Sequence, residues 1–222
     1  MSDKVIIFDM DGVLIDSEPA YLEMNLNFFS EFGSEMDNEN YKALVGMPSL
    51  QMWMMLKQKY DLQDDVKDII QLEQERMYNI LNSDLIPGPI DGVIPLLNKL
   101  KSENHKLSVA SSSAKRNIEL VLNRLNLSEY FEYIISGEEV TNGKPAPDIF
   151  LKVATYFNQP SHKCFVIEDS TNGVKAAKSA GMQCIGFKNN ETNLQDLSVA
   201  DLIINNFDKD NSNRIIEFIK NK

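Results

Sequence analysis

The chain has 222 residues and is 43% hydrophobic, enough to bury a sizeable core as one large domain or as a core with a smaller insert. No stretch approaches the ~18 consecutive apolar residues of a membrane span. The formal net charge of −11 argues against nonspecific binding to nucleic acid or to an anionic membrane, but not against an anionic substrate, because a bound metal and a few placed lysines can reverse the sign locally. The opening Met1-Ser2-Asp3-Lys4 has neither a secretory apolar region nor transit-peptide character. Cys164 and Cys184 both fall in strand-like runs and read as buried free thiols. The expected compartment is the cytoplasm.

The first element is a short apolar strand, Val5-Ile6-Ile7-Phe8, followed at once by Asp9-Met10-Asp11-Gly12-Val13. Paired carboxylates beside a buried strand repel and are costly to desolvate without a cation or hydrogen bonds. Two explanations fit this segment alone: a metal site, or an acidic strand-to-helix turn with Asp11-Gly12 as turn chemistry. From Ser17 to Leu85 there is no convincing strand. Helical patterns cover Pro19 to Phe32, Ser49 to Tyr60 and Asp64 to Asn82. Met47, Met52, Met54 and Met55 flank Trp53, a stripe read as core rather than as an adaptable pocket wall.

Pro87-Gly88-Pro89 is a hard break. Beyond it, apolar runs alternate with helical patterns. A helix carries Val93, Leu96, Leu97 and Leu100. Leu107 to Ala110 is a strand, and Ala114 to Leu125 a helix. Tyr133 to Ile135 is a strand, Asp148 to Phe157 a helix, and Cys164 to Ile167 a strand. Gly173 to Ala180 is a helix, Gln183 to Gly186 a strand, Asp201 to Ile204 a last strand, and a final helix lies near Asn213 to Lys220. Alternation of this kind predicts right-handed crossovers and a parallel sheet covered by helices on both faces. The expected class is α/β: a Rossmann-like parallel-sheet core formed by residues 1–16 and 86–222, with an α-helical domain inserted at 17–85.

Open parallel sheets bind ligands beyond the carboxyl ends of their strands. Asp9 and Asp11 follow the first strand, Ser111-Ser112-Ser113 the second, and a loop with Gly143-Lys144-Pro145 the third. Glu168-Asp169-Ser170 ends the fourth. Each has a bland alternative: the serines as a helix cap, Lys144 as an ordinary loop lysine, Glu168-Asp169-Ser170 as capping chemistry. Taken together at successive strand ends, carboxylates, hydroxyls and a lysine form the set that phosphoryl transfer requires. An all-oxygen acidic cluster suits magnesium. The lack of His and Cys at ligand spacing argues against zinc.

These motifs resemble those of the haloacid dehalogenase-like hydrolase superfamily, and most of all its beta-phosphoglucomutase-like branch with a helical cap after the first strand. The residues that carry the likeness are Phe8-Asp9-Met10-Asp11-Gly12-Val13, Ala110-Ser111-Ser112-Ser113, Gly143-Lys144-Pro145-Ala146-Pro147-Asp148-Ile149-Phe150, and Ile167-Glu168-Asp169-Ser170 before Gly173. The likeness runs over nearly the whole chain. It implies Asp9 as nucleophile and Asp11 as acid and base, with Asp11's backbone carbonyl on magnesium. It implies Ser111 and Lys144 on the transferring phosphoryl group, and Asp9, Asp11, Glu168 and Asp169 as the metal set. Ser112 and, in the cap, Gly46 and Ser49 are candidate substrate contacts. Cap hinges are expected near Leu14 to Ser17 and Asn82 to Pro87. The second Asp of the first motif, absent from the dehalogenase branch, favours phosphoryl chemistry.

The mutases of this branch usually carry a His early in the cap and an Arg shortly after a cap Gly. Here Tyr21 stands near the first place, and Gly46-Met47-Pro48-Ser49-Leu50-Gln51 at the second. Holding a second phosphate calls for a cation, and the candidates are Arg76 and Lys57. The expected activity is a magnesium-dependent phosphatase of a small phosphorylated metabolite such as a sugar phosphate, the alternative a phosphoglucomutase-type isomerase. A monomer is expected, with no nucleic-acid or membrane partner.

Overall fold

The computed structural model describes residues 4–32, 49–189 and 195–222. The chain divides by its internal contacts into two compact units, Met1–Asp16 with Gly88–Lys222, and Ser17–Pro87. The larger unit is α/β and Rossmann-like. Its strands are β1 (Val5–Phe8), β2 (Lys106–Ser111), β3 (Tyr133–Ser136), β4 (Cys164–Glu168), β5 (Gln183–Phe187) and β6 (Leu202–Ile204). They form one six-stranded sheet in the order β3-β2-β1-β4-β5-β6, every pairing parallel. Strand order reverses beside β1, which pairs with β2 on one edge and β4 on the other. That places a crevice beyond the carboxyl ends of β1 and β4.

Local chemistry explains the elements. Every residue of β1 and of β4 is buried, as a central parallel strand requires. Helix α4 (Val93–Ser102) buries Val93, Leu96, Leu97 and Leu100 at helical spacing and packs on β2. Helix α5 (Lys115–Arg124) packs on β3. Helix α6 (Asp148–Tyr156) packs on β3, β2 and β1 through Ile149, Phe150 and Val153. Helix α7 (Thr171–Ser179) packs on β4 and β5. The last helix, α8 (Lys209–Lys220), starts before the expected Asn213 because Asp208 caps it, accepting from the Asn211 amide at 2.8 Å. Cys164 and Cys184 are buried and free.

The smaller unit holds α1 (Glu18–Glu31), α2 (Ser49–Tyr60) and α3 (Val66–Leu81). They close on Met24, Phe28, Phe29, Met52, Trp53, Leu56, Leu62 and Ile69. The methionine stripe splits: Met52 and Trp53 are core, while Met54 and Met55 are exposed. Met47 and Gly46 lie outside the described residues. No described helix is long and apolar enough to cross a membrane.

One buried charge interrupts this apolar core. Glu73 is only 4% exposed and accepts from Trp53 Nε1 at 3.0 Å and from the Ser49 hydroxyl, yet burial still raises its pKa. A carboxylate raised in the fold costs stability as pH climbs above its unfolded value. Glu73→Gln keeps an acceptor for the indole and removes the charge. We expect it to raise the thermal midpoint by a few degrees at pH 8 and by less at pH 4. The fluorescence of the single tryptophan reads this out directly, and an equal gain at both pH values would rule out the charge as the cause.

Candidate active site

The site grows from the carboxyl ends of β1, β2 and β4 and the loop after β3. Asp9 continues the β1 ladder, its amide donating to the Ile167 carbonyl at 3.0 Å. The chain then turns tightly around the Met10 carbonyl, which accepts from Leu14 at 2.8 Å and Ile15 at 3.2 Å, while the Gly12 amide donates to the Ile15 carbonyl at 2.8 Å. Gly12 has φ +78°, and a methyl on its Cα would lie 2.0 Å from Asp169 Oδ2. Only glycine admits both that conformation and that approach. The turn that follows Asp9 and Asp11 therefore packs against the Asp169 carboxylate.

Lys144 binds the ends together. Its side chain is 6% exposed, and its ammonium donates to Asp9 Oδ1 at 2.5 Å, to Glu168 Oε1 at 2.6 Å and to the Ala110 carbonyl at 3.1 Å. The Phe150 ring lies 5.1 Å from Nζ. Burial works against the ammonium, but Asp9 and Glu168 more than offset it and hold its pKa above the ordinary lysine value. Burial is also the largest influence on Asp9 and pushes its carboxyl up to about 7; Lys144 opposes that, while Glu168 and Asp11 add to it.

Glu168 is 1% exposed. Its other oxygen, Oε2, accepts from the Ser170 amide and hydroxyl, each at 2.9 Å. Its carboxylate lies so close to Gly173 that a methyl there would meet Oε1 at 1.8 Å. Ser170 also caps α7 through the Gly173 amide at 3.0 Å. The capping explanation therefore holds for Ser170, and Glu168 is shared between that cap and Lys144.

The serines after β2 do not cap a helix. The N-cap of α5 is Ala114, which makes no side-chain cap bond. Ser111 is buried and its Oγ accepts from the Ser113 amide at 3.0 Å. Ser112 is exposed. Ser113 Oγ reaches across the chain to Asp11 Oδ2 at 2.7 Å. Sequence reasoning singled out Ser111 and Ser112 and passed over Ser113, because nothing in a run of identical hydroxyls says which one faces a carboxylate a hundred residues away. Of the residues expected in the smaller unit, Ser49 opens α2 and is tied to Glu73, and Gly46 lies outside the described residues.

Over residues 6–187 the chain matches the family model described as "Haloacid dehalogenase-like hydrolase". The chain belongs to this family. It is 34% identical over 182 residues to the phosphorylated carbohydrates phosphatase of Thermotoga maritima, covering 82% of this chain and 83% of that protein. It is 33% identical over 190 residues to the beta-phosphoglucomutase of Bacillus subtilis, covering 82% of each. A crystal structure of beta-phosphoglucomutase from Clostridium difficile matches its fold with a TM-score of 0.83 at 23% identity, over 99% of this chain and 98% of that one.

The donor chemistry can be tested against the divalent cation this hydrolase family implies. Among the described residues, no three His, Cys, Asp or Glu side chains are already gathered as a ligand set. Both Glu168 oxygens are engaged by Lys144 and Ser170. Asp169 packs against the Gly12 turn, three residues on from Asp9, and these two aspartates offer carboxylate oxygens. Oxygen ligands in that small number fit magnesium, which is held by one or two carboxylates, its waters and the substrate phosphate.

Lys144→Ala leaves Asp9 and Glu168 buried without their cation. We expect a loss of ~3–5 kcal/mol at pH 7.5, measured by urea unfolding in EDTA. Burial already raises the Asp9 carboxyl while Lys144 opposes it, so without the ammonium the penalty is present at high pH and is relieved as pH falls toward 4. A loss that does not shrink between pH 7.5 and pH 5 would show that Lys144 acts through packing.

Proposed function

We propose that this hydrolase is a magnesium-dependent phosphatase of small phosphorylated carbohydrates, working through a phosphoaspartate at Asp9. The observation that carries this reading is the Lys144 ammonium held between Asp9 Oδ1 and Glu168 Oε1, at 2.5 and 2.6 Å, at the switch point of a parallel sheet. A nucleophilic carboxylate with a fixed cation beside it can receive an anionic phosphoryl group with its charge already compensated.

In this mechanism an Asp9 oxygen attacks phosphorus, and the bond from phosphorus to the leaving oxygen breaks. Asp11 gives that oxygen its proton. Asp11 then takes a proton from water as the water attacks the phosphoaspartate, and the bond between phosphorus and Asp9 breaks to release phosphate. The Ser111 hydroxyl and the amide of exposed Ser112 orient the phosphoryl oxygens, and Lys144 neutralises them. Asp9, Asp169 and the Asp11 backbone carbonyl would hold magnesium. When bound, it supplies positive charge against the phosphate dianion and the crowded carboxylates. Glu168 in this reading is the second counter-ion of Lys144 rather than a direct metal ligand.

The relatives include both a phosphatase and a mutase. A mutase must hold a second phosphate, and the smaller unit's two candidate cations are engaged within it. Arg76 makes a bidentate pair with Glu31 at 2.7 and 2.6 Å, its guanidinium 4.7 Å from the Phe28 ring. Lys57 donates to the Asp64 carbonyl. This supports hydrolysis over isomerisation. We therefore expect a panel of sugar phosphates to yield free phosphate, with turnover lost in EDTA and restored by magnesium. Asp9→Asn should lower kcat by ~10³-fold or more with the fold retained by circular dichroism. Conversion of beta-glucose 1-phosphate to glucose 6-phosphate without phosphate release would establish the mutase instead.

A further inference from the structure

The hydrogen bond from Ser113 Oγ to Asp11 Oδ2, at 2.7 Å, is not explained by folding alone. It joins side chains 102 positions apart, and both are only half-buried, so neither needs the other to avoid a desolvation penalty. The hydroxyl is not spent on helix α5, whose N-cap is Ala114.

Its aim is set by a brace from the next strand. The Ser113 amide donates to Ser111 Oγ at 3.0 Å, and the Ser113 carbonyl accepts from Ser136 Oγ at 2.6 Å. Ser136 ends β3 and is itself fixed by a capping box: Glu138 donates its amide to Ser136 Oγ at 3.1 Å, and the Ser136 amide donates to Glu139 Oε1 at 2.9 Å. The Lys115 amide, just beyond, donates to Glu138 Oε2 at 2.9 Å. The Ser113 amide is thus tied to Ser111, and the Ser113 carbonyl and the Lys115 amide to the end of β3 and the short turn after it, leaving the side chain to point at Asp11.

We propose that Ser113 is a positioning residue for proton transfer, anchoring Oδ2 of Asp11 so that Oδ1 presents the proton to the leaving oxygen. This rests on the acid role given to Asp11 above. A carboxylic acid carries its proton on one oxygen, and an O–H donor must meet the other. A side chain on a turn otherwise samples several rotamers, and holding one of them brings the proton and the leaving oxygen together more often. The Asp11 O–H bond breaks as its proton bonds to the leaving oxygen, and the bond from that oxygen to phosphorus breaks as an Asp9 oxygen bonds to phosphorus.

The test is the dependence of kcat/KM on the leaving group, because kcat/KM reports only the steps through departure of that group. A sugar phosphate has a poor leaving oxygen that needs a proton; p-nitrophenyl phosphate has a good one that does not. Ser113→Ala should lower kcat/KM for the sugar phosphate on the order of tenfold more than for the aryl ester. Ser113→Thr, which keeps the hydroxyl, should restore the wild-type ratio. Ser113→Cys, close in size with a poor donor, should behave as Ala and serves if Ala does not fold. Equal losses on both esters, or a folded Thr variant with the Ala ratio, would overturn the proposal. Asp11→Asn separates the two layers. If it discriminates strongly between the esters while Ser113→Ala does not, the Asp11 assignment stands and the positioning role fails. If Asp11→Asn does not discriminate, the acid assignment fails and takes the positioning role with it.

Discussion

The site depends on one buried ammonium. Lys144 lies between Asp9 and Glu168 with its ammonium over the Phe150 ring, and without it two carboxylates would stand desolvated at the end of the most buried strands of the sheet. Such a pair survives only where charge and hydrogen bonds both compensate it. Glu168 meets this condition fully, with Lys144 on one oxygen and Ser170 on the other. Asp9 meets it in part, and its carboxyl stays raised to about 7. In our reading that shortfall is what a magnesium ion and a phosphoryl group complete.

The fold converts this electrostatic constraint into position. Strand order reverses at β1, so the loops after β1 and β4 open on the same crevice, and the loops after β2 and β3 flank it. The Gly12 turn, just after the two aspartates, packs against Asp169. The turn after β3 braces the serine loop through Ser136. The ends of β1 to β4 are tied to one another, so in our reading the groups that would handle a phosphoryl sit on rigid elements rather than on free loops. By our account the choice between phosphatase and mutase lies in the smaller unit, where Arg76 and Lys57 are engaged internally.

Much of this was legible in the sequence because strand and helix periods differ and because strand ends in a parallel sheet converge. The apolar run at β1, the serines after β2 and Glu168-Asp169-Ser170 after β4 could be placed from pattern alone. Burial of Lys144 could not, since a Gly-Lys-Pro loop looks the same whether its lysine faces water or two carboxylates. Glu73 was hidden in the opposite way: it occupies one position of a charged helix surface by sequence, but Trp53 and Ser49 draw it inward. The split of the methionines depended on which face of α2 met α1 and α3, and their mixed spacing left that open. The Ser113 to Asp11 bond is a long-range side-chain contact, for which sequence has no periodic signal.

The central claim is that Asp9 forms a covalent bond to phosphorus. The most direct measurement is to quench the magnesium-loaded protein in acid during turnover of a sugar phosphate, reduce it with borohydride and map the peptides by mass spectrometry. A phosphoaspartate reduces to homoserine, and the account predicts that change at Asp9 alone. Turnover with an unmodified Asp9, or with the change at Asp11, Glu168 or Asp169, would contradict it.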